Sequence, residues 1–312
     1  MKIYKPKFWD KKGFPNLISI LLMPISLIVI IKNYYENSKI KKNYYDFRTI
    51  CVGNIYIGGT GKTPLVNNLA SYFKKKFKTF IIKKNYTSHI DEKKLLESKH
   101  KVISEKTREL ALEKALQEKA KIVIFDDGLQ EKKINYDLKI VCFNSVKLDG
   151  NGLVIPAGPL RENLKSIKSY DIVFINGNIN KETKNFINKI KDINPDIKIF
   201  MGKYTPKNYS KLKKKKFLVF SGIGNPHTFS DTLKSLKIKF YEYVKFPDHY
   251  EYKESDLLKL KELAKIKNCE LLTTEKDYLR IKKSLRKNVS FLKVELSIDN
   301  EKQFYKYLNQ KL

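Results

Sequence analysis

Short apolar runs alternate with lysine-rich amphipathic stretches from residue 48 to the end of the chain. Such runs predict buried strands, and the longer stretches with a helical period predict surface helices. The predicted strands span residues 49–55, 79–82, 122–125, 138–143, 172–175, 197–200, 217–220, 240–244, 271–273 and 289–294. The predicted helices span residues 63–76, 107–119, 181–193, 226–236, 253–267 and 301–312. This alternation predicts an α/β fold of two α/β/α sandwich domains with mostly parallel sheets, whose ligands bind at the carboxyl ends of the strands.

The N-terminal segment has a different pattern. Residues 17–31, LISILLMPISLIVII, carry no charge, contain Pro24 and have lysines on both sides. The run is short for a bilayer span, which takes about 20 apolar residues. We favour a membrane-associated helix that dips into an anionic leaflet. Aromatic side chains suited to the interface flank it, namely Phe8, Trp9, Tyr34 and Tyr35. A buried core helix and a true span are the alternatives, and a signal peptide is disfavoured because no small-residue cleavage site follows.

The charge of the chain is strongly positive. Its 312 residues carry 64 Lys and Arg against 33 Asp and Glu, a formal net charge of +31, and only five of the basic residues are arginine. Such a charge favours anionic partners such as lipid headgroups and nucleotides. The lysines are spread along the whole chain and no nucleic-acid-binding module is recognisable, so we expect no nucleic-acid partner.

The three cysteines, Cys51, Cys142 and Cys269, lie in or beside apolar runs that read as strands. Their odd number and the absence of a paired spacing argue against a disulfide framework and against a zinc site. We expect buried thiols in a reducing compartment.

The strand TICVGNI leads into YIGGTGKT and then into a predicted helix, which is the context of a phosphate-binding loop (P-loop). Lys62 is expected to reach the β- and γ-phosphates of ATP, and the Thr63 hydroxyl to bind Mg²⁺. Tyr56 occupies a position where P-loops usually have glycine. The fold is therefore predicted to be of the P-loop NTPase type. The predicted nucleotide contacts are Tyr56, Ile57, Gly58, Gly59, Thr60, Gly61, Lys62, Thr63 and Arg161.

Acidic residues follow a second apolar strand in IVIFDDGLQ, residues 122–130. A strand that ends in carboxylates downstream of a P-loop predicts a Mg²⁺ site, with Asp126 and Asp127 as ligands. The segment PAGPLRE adds Arg161 as a phosphate contact and Glu162 as a further metal ligand. His249, in FPDHYEY, is the best histidine candidate for proton transfer.

Gly and Pro cluster in DGNGLVIPAGP at residues 149–159, which predicts a domain boundary there. The chain would then consist of an N-terminal docking segment (residues 1–45), a P-loop domain (46–150) and a second α/β domain that closes the cleft (151–299). The C-terminal helix, residues 300–312, can return to the P-loop domain.

In their order, the motifs VGN-x₃-GGTGKTP, DDGLQ, PAGPLRE, GIGNP, FPDHY and TEKD resemble those of the tetraacyldisaccharide 4′-kinases of lipid A synthesis. The array covers residues 52–277, and the basic, apolar N terminus is similar to the membrane-docking segment of that family. The resemblance implies transfer of the ATP γ-phosphoryl group to the 4′-hydroxyl of a tetraacylated glucosamine disaccharide 1-phosphate. It also implies two α/β/α domains joined by a small β linker.

By this resemblance, Lys62 and Thr63 hold phosphate and Mg²⁺, and Asp126 and Asp127 form the acidic metal site. Asp91 would pair with His249 to activate the sugar hydroxyl. Three departures from the family pattern are present. Lys93 replaces a proline, residues 83–87 read KKNYT in place of Ser-Arg-Gly-Tyr-Gly, and Glu131 stands where histidine is common.

The sequence thus predicts a kinase that uses ATP and Mg²⁺, with Asp91, His249 and Lys62 as its catalytic residues. We expect a monomer on the cytoplasmic face of the bacterial inner membrane, with a lipid substrate and an anionic membrane surface as its partners. Two alternatives remain open at this point. One is a membrane-associated P-loop ATPase switch with a protein partner, and the other is a non-enzymatic nucleotide- or lipid-binding module.

Overall fold

The computed structural model describes residues 6–11, 13, 16–37, 45–84, 90–131, 133–223, 226–247 and 250–312. The chain forms two compact units. The first unit comprises Met1–Asn85, His100–Lys203 and Leu296–Leu312, and the second comprises Tyr86–Lys99 and Tyr204–Glu295.

Helices and strands alternate along the described chain. The α-helices are α1 (Leu17–Asn37), α2 (Lys62–Phe73), α3 (Ile90–Glu97), α4 (Arg108–Gln117), α5 (Lys181–Ile193), α6 (Tyr209–Leu212), α7 (Pro226–Ser235), α8 (Glu254–Ile266), α9 (Glu275–Arg280) and α10 (Glu301–Lys311). The strands are β1 (Arg48–Gly53), β2 (Thr79–Lys83), β3 (Val102–Ile103), β4 (Ile122–Asp126), β5 (Leu138–Asn144), β6 (Ile172–Asn176), β7 (Lys198–Pro206), β8 (Lys216–Ser221), β9 (Lys239–Lys245), β10 (Glu270–Thr274), β11 (Val289–Leu292) and β12 (Val294–Ile298).

The first unit is built on an eight-stranded sheet with the order β12-β7-β6-β5-β1-β4-β2-β3. The central strand β1 pairs in parallel with β4 on one side and with β5 on the other. Strands β2, β4 and β6 are buried along their whole length. A parallel sheet covered on both faces requires such nearly continuous apolar strands, which is why the sequence showed runs and not an alternating pattern.

The boundary between the units differs from the one predicted at residues 149–159. Strands β6 and β7 follow that segment and continue the first sheet, with Asn144 of β5 in register with Asn176 of β6. The Gly- and Pro-rich segment folds back on itself, because the Ile155 N–H donates to the Leu160 carbonyl at 2.8 Å. It therefore forms a loop within the first unit, and the chain passes into the second unit only after Lys203.

The second unit has a four-stranded parallel sheet with the order β11-β10-β8-β9. It also includes residues 86–99, which the sequence had assigned to the P-loop domain. Helix α3 from this segment packs against α9, and Lys99 forms an ion pair with Glu275 at 3.3 Å. Residues 90–99 therefore belong to the second unit because of their contacts with α9, which lies far away in the sequence.

Helix α1 exposes most of its apolar side chains. Leu21 and Ile28 are 70% and 67% exposed, whereas Ser26 is buried and its hydroxyl donates to the Val154 carbonyl at 2.8 Å. The side of the helix that packs on the protein carries Ser26 together with the partly buried Val29 and Ile30, and the other side exposes apolar side chains to solvent. Among the described residues, no helix has both the length and the hydropathy needed for a bilayer crossing.

Two thiols lie in the core of the first unit. Cys51 on β1 and Cys142 on β5 are fully buried, and burial raises the pKa of the Cys51 thiol to about 12. A reagent that requires the thiolate should label Cys269, which is partly exposed, well before Cys51 or Cys142 in the native protein. Mass spectrometry of protein alkylated at pH 8, with and without denaturant, measures this order.

The same burial predicts an alkaline loss of stability. Above about pH 8.5 the unfolded chain releases the Cys51 proton while the folded chain retains it, so stability falls as the pH rises towards the folded pKa. In the labelling experiment described above, equal rates for Cys51 and Cys269 in the native protein would contradict the buried position of Cys51.

Candidate active site

The loop between β1 and α2 has the backbone conformation of a phosphate-binding turn. Gly61 precedes the first residue of α2 with φ +85°, and Gly58 has φ +135°. Residues with a Cβ rarely adopt these left-handed angles, so glycine is required at both positions. The amino end of α2 then follows directly after the loop, where its free N–H groups and helix dipole favour an anion.

Asn54 holds this loop from inside. Its buried side chain donates to the carbonyls of Tyr56 at 2.5 Å and Gly58 at 3.1 Å, and its Oδ1 accepts from the Lys62 Nζ at 2.9 Å. The motif VGN contains this asparagine, but the sequence indicated no role for it. Its position directly after a buried strand, where a polar side chain needs partners, was the available signal.

Asp126 lies at the carboxyl end of β4, beside the end of β1. Its Oδ2 accepts a hydrogen bond from the Thr63 hydroxyl at 3.2 Å. Its Oδ1 is buried and has no hydrogen-bond partner among the described residues. Mg²⁺ in nucleotide sites usually binds through one or two carboxylates together with phosphate oxygens, and Asp126 with Thr63 provides donors of this kind. The residues present therefore fit a nucleotide-bound divalent cation.

Asp127 performs a different task from Asp126. Its backbone has φ +66°, which turns its side chain away from the direction that a continued strand would give it. The carboxylate accepts from Arg161 Nη1 at 3.2 and 3.3 Å, and its Oδ1 lies 3.5 Å from the Lys62 Nζ. Asp127 thus holds two of the predicted phosphate-binding cations in place.

Gly128 allows the acidic turn to approach β1 closely. A Cβ at this position would lie 2.8 Å from the Cys51 Sγ and 2.9 Å from the Tyr136 hydroxyl. The Tyr136 hydroxyl also donates to the Gly128 carbonyl at 3.0 Å. The glycine of DDGLQ is therefore required by packing, which keeps both aspartates against the P-loop strand.

Glu162 is hydrogen-bonded at both carboxylate oxygens, and its role as a metal ligand stays a prediction. Its Oε1 accepts from Gln130 Nε2 at 3.3 Å and its Oε2 accepts from the Tyr170 hydroxyl at 3.2 Å. Burial, followed by the nearby Glu162 charge, raises the pKa of Tyr170. Gln130 in turn accepts from Arg161 Nη1 at 2.9 Å. Glu162 therefore supports the side chains that position Arg161.

The predicted metal ligands make different contacts in the structure. Thr63 contacts Asp126, whereas Asp127 contacts Lys62 and Arg161. Within the part of the chain that the structure describes, no group of three or more acidic, histidine or cysteine side chains is suited to hold a metal ion. The sequence shows the order of these residues along the chain. The directions in which the Asp126 and Asp127 carboxylates point depend on the turn at the end of β4.

Two basic residues near this turn were not predicted. Arg108 Nη2 donates to the Asp127 carbonyl at 2.6 Å, and Arg108 Nη1 lies 3.4 Å from Glu131 Oε2. Lys83, the last residue of β2, forms an ion pair with Asp126. No sequence spacing indicated either contact, because α4 and β2 meet the acidic turn only in the folded protein.

The N-terminal segment contacts the loops of this site. The Tyr56 hydroxyl donates to Asp10 Oδ1 at 2.5 Å, and burial followed by this hydrogen bond raises the pKa of Tyr56. Trp9 Nε1 donates to the Pro156 carbonyl at 3.0 Å, and Asn33 Nδ2 of α1 donates to the Arg161 carbonyl at 3.0 Å. Tyr56 therefore fixes the start of the P-loop to the N-terminal segment.

In the second unit, buried Asp277 joins three motifs. Its Oδ1 accepts from the Gly222 N–H at 3.1 Å, from the Tyr252 hydroxyl at 2.9 Å and from Arg280 Nη1 at 2.9 Å. The Arg280 guanidinium also donates to the Gly222 carbonyl at 2.6 Å. The TEKD motif thus fixes the turn that begins GIGNP and the tyrosine that ends FPDHYEY.

The two predicted acid–base residues are only partly located. Asp91 lies in α3 of the second unit, and His249 lies outside the described residues. Their pairing therefore stays a prediction. Lys62 is the member of the predicted catalytic set whose contacts are described.

Comparison with known proteins gives a consistent result. The family model described as tetraacyldisaccharide-1-P 4′-kinase, LpxK, matches residues 18–312. A Pelagibacter ubique (strain HTCC1062) protein named tetraacyldisaccharide 4′-kinase is 45% identical over 311 residues, covering 97% of this chain and 96% of that protein. A Rickettsia akari (strain Hartford) protein of the same name is 36% identical over 330 residues, covering 100% of this chain and 97% of that protein.

Among solved structures, the crystal structure of the "apo" form of LpxK from Aquifex aeolicus in complex with ATP is similar, with a TM-score of 0.73. It is 24% identical and covers 95% of this chain and 99% of that chain. This likeness confirms the predicted α/β fold. Because the family match and the two relatives extend over nearly the whole chain, the chain belongs to the tetraacyldisaccharide 4′-kinase family, the kinases of lipid A synthesis.

Proposed function

We propose that this enzyme transfers the γ-phosphoryl group of Mg-ATP to the 4′-hydroxyl of a tetraacylated glucosamine disaccharide 1-phosphate. It acts as a monomer at the cytoplasmic face of the inner membrane. The observation that carries the proposal is the meeting of Lys62 and Thr63 with the acidic turn after β4, at the carboxyl ends of β1 and β4. A terminal phosphate held there is surrounded by backbone N–H groups, an ammonium group and a guanidinium group.

Phosphoryl transfer depends mainly on positioning and charge neutralisation. Asp127 holds Lys62 and Arg161 through ion pairs at 3.5 and 3.2 Å, and both cationic side chains remain partly exposed. They are suited to bind the terminal phosphate oxygens and to stabilise the charge that develops on them. Asp126 and Thr63 would hold Mg²⁺, which neutralises charge on the β- and γ-phosphates when it is bound.

The acceptor hydroxyl needs a base, because an alcohol is almost entirely un-ionised at neutral pH. Asp91 and His249 are the proposed pair for this step, on the strength of the family resemblance. A carboxylate that orients an imidazole is a common arrangement for removing a hydroxyl proton during attack.

A transfer assay with γ-labelled ATP, Mg²⁺ and the acylated disaccharide phosphate in detergent micelles tests this proposal. We expect label in the lipid, and a loss of about 10²-fold or more for His249→Ala, as is typical for removing a general base. His227→Ala, which changes an exposed histidine at the start of α7, is the matched control and should retain full activity. Label recovered only as inorganic phosphate would overturn the proposal and favour the ATPase switch.

We further propose that α1 docks on an anionic membrane surface through its exposed apolar side. Leu21 and Ile28 lie two helical turns apart on that side, so both side chains would enter the headgroup region together. The lysines that flank the helix would contact the anionic headgroups. This placement confines enzyme and lipid substrate to one plane.

The double variant Leu21→Glu/Ile28→Glu should bind anionic vesicles at least tenfold more weakly, because burying one such side chain stabilises by about 1.5–3 kcal/mol. Vesicle flotation of the full chain measures the bound fraction. Ile266→Glu, at an isoleucine of α8 that is also 70% exposed, is the control and should bind normally. Equal flotation of the double variant and the wild-type protein would exclude docking through this side of α1.

A further inference from the structure

Lys83 is a buried lysine within the candidate active site. It ends β2, its side chain is 9% exposed, and its Nζ contacts Asp126 Oδ2. Lys83 and Asp126 are direct neighbours in the parallel pairing of β2 with β4. Lysine is almost never buried unless it is paired, so this pairing is what allows the residue at the end of a fully buried strand.

The pair involves the carboxylate that fits a divalent cation. Asp126 Oδ2 accepts from both Lys83 and Thr63, while Oδ1 has no partner among the described residues. Each acidic residue of the turn therefore has its own lysine, since Lys62 lies beside Asp127. Lys83 also begins the KKNYT segment, where the chain departs from the family pattern.

We propose that Lys83 is the resident counter-ion of Asp126, which Mg²⁺ must displace to reach that carboxylate. In this way Lys83 sets the Mg²⁺ concentration at which the enzyme binds nucleotide. The inference rests on the proposed function, because the cation in question is the one that accompanies ATP.

Two physical arguments support displacement. An ammonium group and a divalent cation on the same carboxylate repel each other strongly at the short distances and reduced dielectric of a buried site, even when they contact different oxygens. Lysine is a point charge on a flexible four-carbon stem, so its amine can move without disturbing β2. The phosphates of a bound nucleotide offer the displaced ammonium group another anionic partner.

Replacing Lys83 with glutamine removes the charge and keeps a hydrogen-bond donor. Two opposite effects are then expected on the binding of a fluorescent ATP analogue. With Mg²⁺, the half-saturating Mg²⁺ concentration should fall about fivefold or more, the lower range for coupled sites. In EDTA, the nucleotide should bind about fivefold more weakly, because the site has lost a cation that attracts phosphate. A variant that is merely damaged would lose binding under both conditions.

Three comparisons make the result decisive. Lys83→Arg keeps the charge and should behave like the wild-type protein in both titrations. Lys84→Gln, at the exposed neighbouring lysine, should also leave both titrations unchanged. If Lys83→Gln does not fold, Lys83→Met has nearly the same length and no charge, and the same two shifts are expected of it.

An unchanged or higher Mg²⁺ requirement in folded Lys83→Gln would overturn the inference, because Mg²⁺ would then bind without displacing the lysine. Failure of the wild-type protein to bind the analogue at any Mg²⁺ concentration would instead contradict the proposed function. The two failures are therefore distinguishable in one set of titrations.

Discussion

Lys62→Ala is expected to lower the rate of phosphoryl transfer by about 10²–10³-fold, the effect of removing one preorganised group that stabilises transition-state charge. The Lys62 ammonium lies between Asn54 and Asp127 at the start of α2, where it is suited to bind the terminal phosphates. The fold should survive, because Asn54 keeps its two backbone partners and Asp127 keeps Arg161. The turnover number of lipid labelling and the melting temperature measure the two effects.

Lys75→Ala is the matched control for this change. Lys75 is an exposed lysine just beyond the end of α2, and its removal lowers the net charge by the same amount. It should retain the wild-type rate. A turnover number for Lys62→Ala within about twofold of wild type would show that Lys62 takes no part in stabilising the transition state, since even one such contact is worth about 10²-fold.

Asp126→Asn is expected to affect both activity and stability. Activity should fall by about 10²-fold or more, because a carboxylate that would hold Mg²⁺ is lost. Stability should fall by about 3–5 kcal/mol, because removing one partner of a buried ion pair leaves the other charge uncompensated. The remaining charge here is the Lys83 ammonium, whose side chain is 9% exposed. Urea unfolding and lipid labelling measure the two losses.

The double variant Lys83→Gln/Asp126→Asn separates these two roles. With both charges removed, much of the lost stability should return, since neutral side chains of similar size replace the buried pair. Activity should stay low because the carboxylate is still absent. Asp196→Asn, in an exposed turn, is the control and should leave both properties unchanged. An Asp126→Asn protein as stable as wild type would contradict a strongly coupled buried pair.

The strand–loop–helix segment and the acidic turn could be predicted because each is local in sequence. The predicted strand at residues 49–55 and helix at residues 63–76 correspond to β1 and α2, and Gly58 and Gly61 between them occupy left-handed positions. The acids after the predicted strand at residues 122–125 likewise follow β4. Backbone geometry over a few residues determines such a turn, so the residue types and their spacing were sufficient to predict it.

The unpredicted contacts join residues that are distant in sequence. Lys83 and Asp126 meet because β2 and β4 are neighbours in the sheet, and a sequence alone does not state the strand order. In the sequence, Lys83 stands out only as the first residue of the KKNYT segment, in a chain with 64 Lys and Arg residues. Glu162 is predicted as a metal ligand because it is acidic and follows Arg161, and its contacts with Gln130 and Tyr170 could not be read from the sequence.

The sequence by itself determined the strand–loop–helix of the P-loop, the acidic turn after β4, the α/β class and the family. Each of these depends on short-range backbone geometry or on an ordered set of motifs. The tertiary structure decided where the units divide, which side chains contact Lys62, Asp126 and Asp127, and which apolar side chains of α1 are exposed. Those outcomes depend on strand order and on packing between distant segments, where burial can place a lysine beside a carboxylate that no local pattern would pair with it.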